Sequence, residues 1–216
     1  MISKLKLVVA AALFLGSVGR VAFAAEEPKY SVVRKDQAIQ IREYGELLVA
    51  QTRVEGDYDD VGGAAFRRLA GFIFGDNDSR EKVAMTAPVL QEPASRTKKG
   101  EKIAMTAPVL QEPAGDSANR DAWVMTFVMP AEYTLETLPV PRDPKVEIRT
   151  LPPKRVATIR FSGLMNKKKY DRYTAELVSW IDENGYVAIS PPRSAGYNPP
   201  WTLPPLRRNE IHIDVE

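Results

Sequence analysis

Apolar and polar positions change rhythm several times along the chain, and each rhythm predicts an element. Ile39-Gln40-Ile41-Arg42 alternates with period two, as does Val146-Glu147-Ile148-Arg149, 107 residues later. That is the spacing of a half-buried strand. At the same offset, Val49-Ala50, Arg53 and Gly56 match Val156-Ala157, Arg160 and Gly163. In each half a strand, a turn and a second strand end at glycine, and an amphipathic segment follows. The first such segment, about Tyr58 to Phe74, puts Val61, Ala65, Leu69 and Phe72 on one helical face. The second, about Lys167 to Asn184, carries Tyr170, Tyr173, Leu177, Trp180 and Ile181 as its stripe and stops at Gly185. Further strands are predicted from Trp123 to Met129, ended by Pro130, and from Val187 to Ser190, ended by Pro191-Pro192. In the last strand Ile211, Ile213 and Val215 alternate with His212 and Asp214, which places His212 on the exposed face. Pro139 to Pro144 reads as the link between the halves. The predicted class is α+β: a distorted antiparallel β-barrel from a duplicated strand-strand-helix unit, with two helices.

A second repeat is short and nearly exact. Residues 81–94, beginning Glu81-Lys82-Val83-Ala84-Met85-Thr86-Ala87-Pro88, return at 101–114 with Val83 replaced by Ile103. Two copies that each lack a complete supersecondary unit indicate a local duplication rather than a solenoid. One copy is expected to form a core strand, and the other an extra hairpin arm or loop.

The first 24 residues alter the charge picture. Lys4 and Lys6, the apolar run Leu7–Val18 and Ala22-Phe23-Ala24 have the form of a cleavable export signal. The run falls short of the roughly 20 residues of a membrane span; a retained anchor is the competing reading, left open by Arg20. The expected mature chain is a single domain, 25–216, periplasmic or secreted after cleavage near Ala24. Because residues 1–24 hold Lys4, Lys6, Arg20 and no acid, removing them moves the net charge from +2 to −1. A nucleic-acid partner is therefore not expected, nor stable membrane insertion. The basic run Lys167-Lys168-Lys169 reads as a solvated helix start. With no cysteine and one histidine, thiol catalysis, thiolate metal sites, lipid-modified cysteine and multi-histidine metal sites are excluded.

Six ordered motifs then carry a family resemblance. Lys82-Val83-Ala84-Met85-Thr86-Ala87-Pro88-Val89 and its copy are followed by Phe127-Val128-Met129-Pro130, Tyr133-Thr134-Leu135, Phe161-Ser162-Gly163, Gly196-Tyr197-Asn198-Pro199-Pro200-Trp201 and Arg207-Arg208-Asn209-Glu210-Ile211. Together they resemble the SOUL haem-binding proteins over almost the whole mature chain. The resemblance implies a distorted barrel with a pseudo-twofold repeat, and haem (heme) or another tetrapyrrole bound in a shallow groove. By position, the groove would have Gly63, Phe66, Arg67, Ala70 and Gly71 on the first helix and Tyr197, Pro199 and Trp201 on the loop before the last strand. Aromatic and proline faces suit a porphyrin plate, and Arg67 or Arg68 suits a propionate. Gly63 and Gly71 depart from members with basic residues there. His212 is not at a recognised ligand position, so strong axial ligation and a protein-held metal are not expected. Met105, Met125 and Met129, like Met85, read as core filling.

Four readings follow: a non-catalytic carrier, buffer or scavenger of tetrapyrroles; an effector-type binding module for other planar or amphipathic small molecules; an enzyme; and a protein-docking arm in 81–114. Glu43, Glu46, Asp57, Asp59 and Asp60 fall in turns and at a helix start, where capping and solvation account for them. No nucleophile–base pair can be assembled from spacing, so no catalytic residue is assigned.

Overall fold

The computed structural model describes residues 25–80, 100–115 and 122–216. The leader 1–24 and the first motif copy, 81–94 with Met85, lie outside the described residues. The chain runs β1 (Tyr30–Asp36), β2 (Ile39–Tyr44), β3 (Leu47–Glu55), α1 (Tyr58–Ile73), β4 (Asn77–Asp78), β5 (Val109–Pro113) and β6 (Ala122–Val128). The second half follows as β7 (Val140–Pro141), β8 (Glu147–Leu151), β9 (Lys154–Phe161), α2 (Lys167–Glu183), β10 (Arg193–Gly196), a 3-10 turn at Pro204–Leu206 and β11 (Asn209–Asp214).

Nine strands form one curled antiparallel half-barrel in the order β1-β2-β9-β11-β10-β5-β6-β3-β8. Leaving out the edge strand β1, the order reads as two matching quartets, β2-β9-β11-β10 and β8-β3-β6-β5, meeting where β10 pairs with β5. The duplicated unit is thus visible in the sheet itself, and each half lends a strand to the other: β2 pairs with β9, and β3 with β8. Gly56 and Gly163, matched at the 107-residue offset, both end their strands at positive φ, +130° and +100°. A side chain there would be strained, which accounts for glycine at both turns.

Both helices lie on the same face of the sheet, α1 over β3 and β6, α2 over β9 and β11. Under α2 the core includes Ile41, Ile159, Leu177, Ile181 and Ile211; under α1 it includes Leu69, Phe72, Ile103 and Phe127. The predicted faces hold: Val61, Ala65, Leu69 and Phe72 are buried on α1, and Tyr170, Leu177 and Ile181 on α2, with Tyr173 and Trp180 half-buried. Where the helices begin, Tyr58 packs on Trp123 and Tyr170 at 5.1 Å each. The second motif copy supplies β5, a half-buried strand paired on both sides, and buries Ile103 beneath α1. Met125 and Met129 are buried, and Met105 packs at the cluster's edge.

Three expectations change. Val187–Ser190 is not a ladder strand but makes one isolated bridge, Ala188 to Val215, while the strand lies beyond the prolines at Arg193–Gly196. That tetrapeptide is polar and small, so its pairing on both sides leaves no apolar rhythm to read. The link Pro139–Pro144 contains β7, which pairs with β4. The largest change concerns His212. Alternation does place it opposite Ile211 and Ile213, yet it is only 4 % exposed. The curl of the sheet closes its second face on itself, so the polar positions of β11 are buried too.

Candidate functional site

On α1, the backbone turns Gly63 and Arg67 outward, Phe66 and Gly71 are half-buried, and Ala70 is buried. Phe66 meets Phe127 edge-on at 5.4 Å. A Cβ built at Gly63 would lie 3.5 Å from Arg67 Nη1, an ordinary contact, so the guanidinium passes directly over the glycine. Arg67 has no hydrogen-bond or ion-pair partner among the described residues, whereas Arg68 is committed to Thr52 Oγ1 (2.8 Å) and Asp143 (3.2 Å). Of the two arginines proposed for a propionate, Arg67 is the free one.

The loop before β11 is apolar, exposed and pinned. Trp201 is 82 % exposed, with Leu203 at 66 % and Leu206 at 71 %, while Pro199 lies in the open beside them. A solitary exposed leucine is ordinary; here an exposed Trp and two exposed Leu residues share one loop. Arg207 holds the loop from beneath, donating to the carbonyls of Thr202 (2.8 Å) and Pro200. The Gly163 amide donates to Pro204 O at 2.9 Å. Tyr197 differs from its neighbours on the loop. Its hydroxyl donates to Glu210 Oε2 (2.9 Å), and the Arg208 guanidinium covers its ring at 3.6 Å, so it faces the interior of the half-barrel.

The two predicted walls are linked only indirectly. No hydrogen bond or ring contact among the described residues joins α1 to the loop. They share an end of the molecule through α2, because Asp59 Oδ1 accepts from the Lys167 amide (3.1 Å) and Lys169 Nζ donates to Ser162 O (2.9 Å). Gly63 lies near that end, while Ala70 and Gly71 stand about 10–12 Å further along the helix. A cleft of about 710 Å³ does run along α1, but on the neighbouring stripe of Asp60, Ala64 and Arg68, facing Arg53 and Lys145.

Sequence reasoning missed the concave face of the sheet. Glu210, fully buried, receives Arg42 through two bonds (2.7 and 3.1 Å), Tyr197, Arg208 Nε (2.9 Å) and His212 Nε2 (2.8 Å). Burial alone would raise this carboxyl, but His212 and Arg42 hold it well below the usual carboxylate range. Burial lowers the His212 imidazole, opposed by Glu210. An ionised carboxylate only accepts, so Nε2 carries the hydrogen. Beside them Arg193 and Lys154 (2.9 Å) pair with Asp214, and burial raises the Glu112 carboxyl although Arg193 stands 3.7 Å away. The signal was present as period-two polar residues, Glu210-x-His212-x-Asp214, but in a flat sheet that pattern reads as solvent-facing.

With Nε2 engaged and the ring buried, His212 is not presented to a ligand on the helix side. No group of three His, Asp or Glu among the described residues is arranged to hold a metal ion. The inner pocket at His212, about 70 Å³, is far below the roughly 300–1,000 Å³ of small-molecule sites.

Comparison with known proteins agrees with the architecture. The family model described as SOUL heme-binding protein matches residues 25–99 and 94–214, two stretches that overlap between the copies of the short repeat. A search of curated protein sequences found no match. Among solved structures, the C-terminal domain of EcmrR is similar at TM-score 0.58 and 13 % identity, over 87 % of this chain and 98 % of that one. A hydrolase from Listeria innocua is similar at 0.55 and 12 %, over 85 % and 94 %. An EcmrR–DNA complex follows at 0.53 and 13 %, over 82 % of this chain and 57 % of that one. At such identities the likeness is one of fold.

Proposed function

The chain belongs to the SOUL heme-binding protein family, and from that premise we propose that it binds haem or a related tetrapyrrole without catalysis, as a carrier, buffer or scavenger outside the cytoplasm. The observation that carries this reading is the pinned, exposed loop of Trp201, Leu203 and Leu206. Burying such side chains against a porphyrin face stabilises the complex by about 25 cal/mol per Å² of apolar surface removed from water. Arg67, free of partners among the described residues, supplies a charge for a propionate. Gly63, Phe66, Ala70, Gly71, Tyr197 and Pro199 complete the proposed groove, with Gly63 nearest the loop end and Tyr197 acting as a support fixed to Glu210. The iron takes no strong ligand from His212, which is buried on the other face of the sheet.

The test is titration of the mature chain with hemin, followed by the Soret band. Saturable binding is expected, weakened at least tenfold by Trp201→Ala and less by Arg67→Gln. His212→Gln is expected to leave the Soret maximum in place. Absence of saturable binding at micromolar hemin overturns the reading, and a shifted maximum in the His212 variant overturns the statement about ligation. The export leader supports a role outside the cytoplasm; N-terminal sequencing of protein recovered from an exporting host, starting at Ala25, is the expected result.

A further inference from the structure

The segment before β1 crosses the mouth of the half-barrel. Glu26 O accepts from the Ala107 amide (2.8 Å), its carboxylate accepts from the Ala131 amide (3.0 Å), and both oxygens of Glu27 accept from Arg208 Nη1 (3.0 and 2.9 Å). The three ties land at different strand ends: before β5, after β6 and before β11. Pro28 then forms part of a wall between two cavities. An outer cleft of about 530 Å³ lies on one side and the inner pocket of about 70 Å³ on the other, and Pro28, Leu47 and Val128 line both.

We propose that the concave face of the half-barrel is a second ligand site, for an amphipathic carboxylate, and that Glu26–Pro28 covers its mouth in cis. The chain's own segment shows what the site receives. It brings two carboxylates, and these rest on a guanidinium and a backbone amide, both donors suited to anions. Arg208 is held for this by its stack on Tyr197 and its bond to Glu210, contacts that persist when Glu27 leaves. Behind the segment, Leu47, Leu110, Val128 and Val156 offer apolar wall for a tail. Pro28 borders both cavities, so lifting residues 26–28 opens the inner pocket toward the outer cleft, whose volume of about 530 Å³ is in the usual range of small-molecule sites. The site lies on the sheet face away from both helices and from Arg67, and it meets the loop only through Arg208 and the inward-turned Tyr197. A free carboxylate competes with the segment, so its apparent affinity is the intrinsic one reduced by the fraction of chains with the segment lifted.

The probe is 11-(dansylamino)undecanoic acid, read by fluorescence with the mature chain and its Glu26→Ala/Glu27→Ala double variant. The variant is expected to bind at least tenfold more tightly than the parent, to lose that gain on adding Arg208→Gln, and to prefer the acid over its methyl ester. Its hemin affinity stays at the parent's value. In the unmodified chain, saturating probe is expected to speed hydrogen exchange at the Ala107 amide, because the Glu26 carbonyl has moved away. This measurement decides the matter alone if the double variant does not fold. Equal probe affinity in parent and variant, equal binding of acid and ester, an Ala107 amide unaffected at saturation, or a parallel fall in hemin binding would each overturn the proposal.

Discussion

Glu210 shows why buried charge in this protein must be counted in groups. Its carboxylate is 0 % exposed and answers Arg42, Tyr197, Arg208 and His212 together. Glu210→Gln keeps the shape but leaves the Arg42 guanidinium buried without its anion, so a loss of about 3–5 kcal/mol in urea unfolding is expected. A change under 1 kcal/mol would mean that solvent reaches the group. The neighbouring His212 sets a pH window. Its folded value lies below the ordinary 6.5, through burial beside Arg193 and Arg42 and despite Glu210. The unfolded chain therefore takes up a proton first, and stability complete above about pH 6.5 falls as pH drops toward the folded value. The slope is about 1.4 kcal/mol per pH unit for one proton. Urea midpoints between pH 7 and 5 should show this decline, and His212→Gln should flatten it down to about pH 5. Below the ordinary Glu value of 4.5 the depressed Glu210 adds a loss of the same sign.

At the scale of elements, α2 begins against its own electrostatics. Lys167, Lys168 and Lys169 sit in the first turn, where the helix dipole favours acids, and no acid of that turn offsets them. Compensation comes from elsewhere. Asn166 accepts from the Lys169 amide (3.0 Å), Asp171 takes the Lys167 ammonium, and Asp59 of α1 accepts from the Lys167 amide. Asp59→Ala should cost about 0.5–2 kcal/mol, as for loss of a helix cap, and Asp59→Asn much less. Thermal unfolding of the pair distinguishes a cap from a simple surface charge. These helices were legible because their apolar stripes follow one uninterrupted 3.6-residue rhythm, as Val61-Ala65-Leu69-Phe72 does. The strands of the inner quartets were legible on one face only. Ile211 and Ile213 announce the helix-side core, but Arg42, Glu210 and His212 are buried by closure of the sheet, a long-range event that no local pattern encodes. The edge strand β1 escaped for the opposite reason: all seven residues are exposed, so it has no apolar rhythm. Of the groove, residue types could be read, but not that Tyr197 turns inward or that Arg68 is occupied.

For the whole molecule, the question is what the short duplication adds. The buried Asn77 side chain donates to Glu101 O (2.8 Å) and accepts from the Glu101 amide (2.9 Å), so the chain on either side of residues 81–99 is clipped together. The copy at 101–114 already places Ile103 in the core and β5 within the sheet. Deleting residues 81–98, which keeps Lys99 and Gly100 as the connection, should leave a folded domain with an unchanged urea midpoint and hemin titration. Collapse of the deleted chain would show that the first copy is structurally required.

The exchange of β2 and β8 between the two quartets bears on ancestry. A half-length chain with this topology holds one strand that can complete only somebody else's sheet. Such a precursor would have worked as a pair with traded strands, and an end-to-end fusion would preserve the trade within one polypeptide. Fusion would also release the halves from having to match. One could then keep a glycine-bearing helix while the other became lysine-rich, a divergence closed to identical partners.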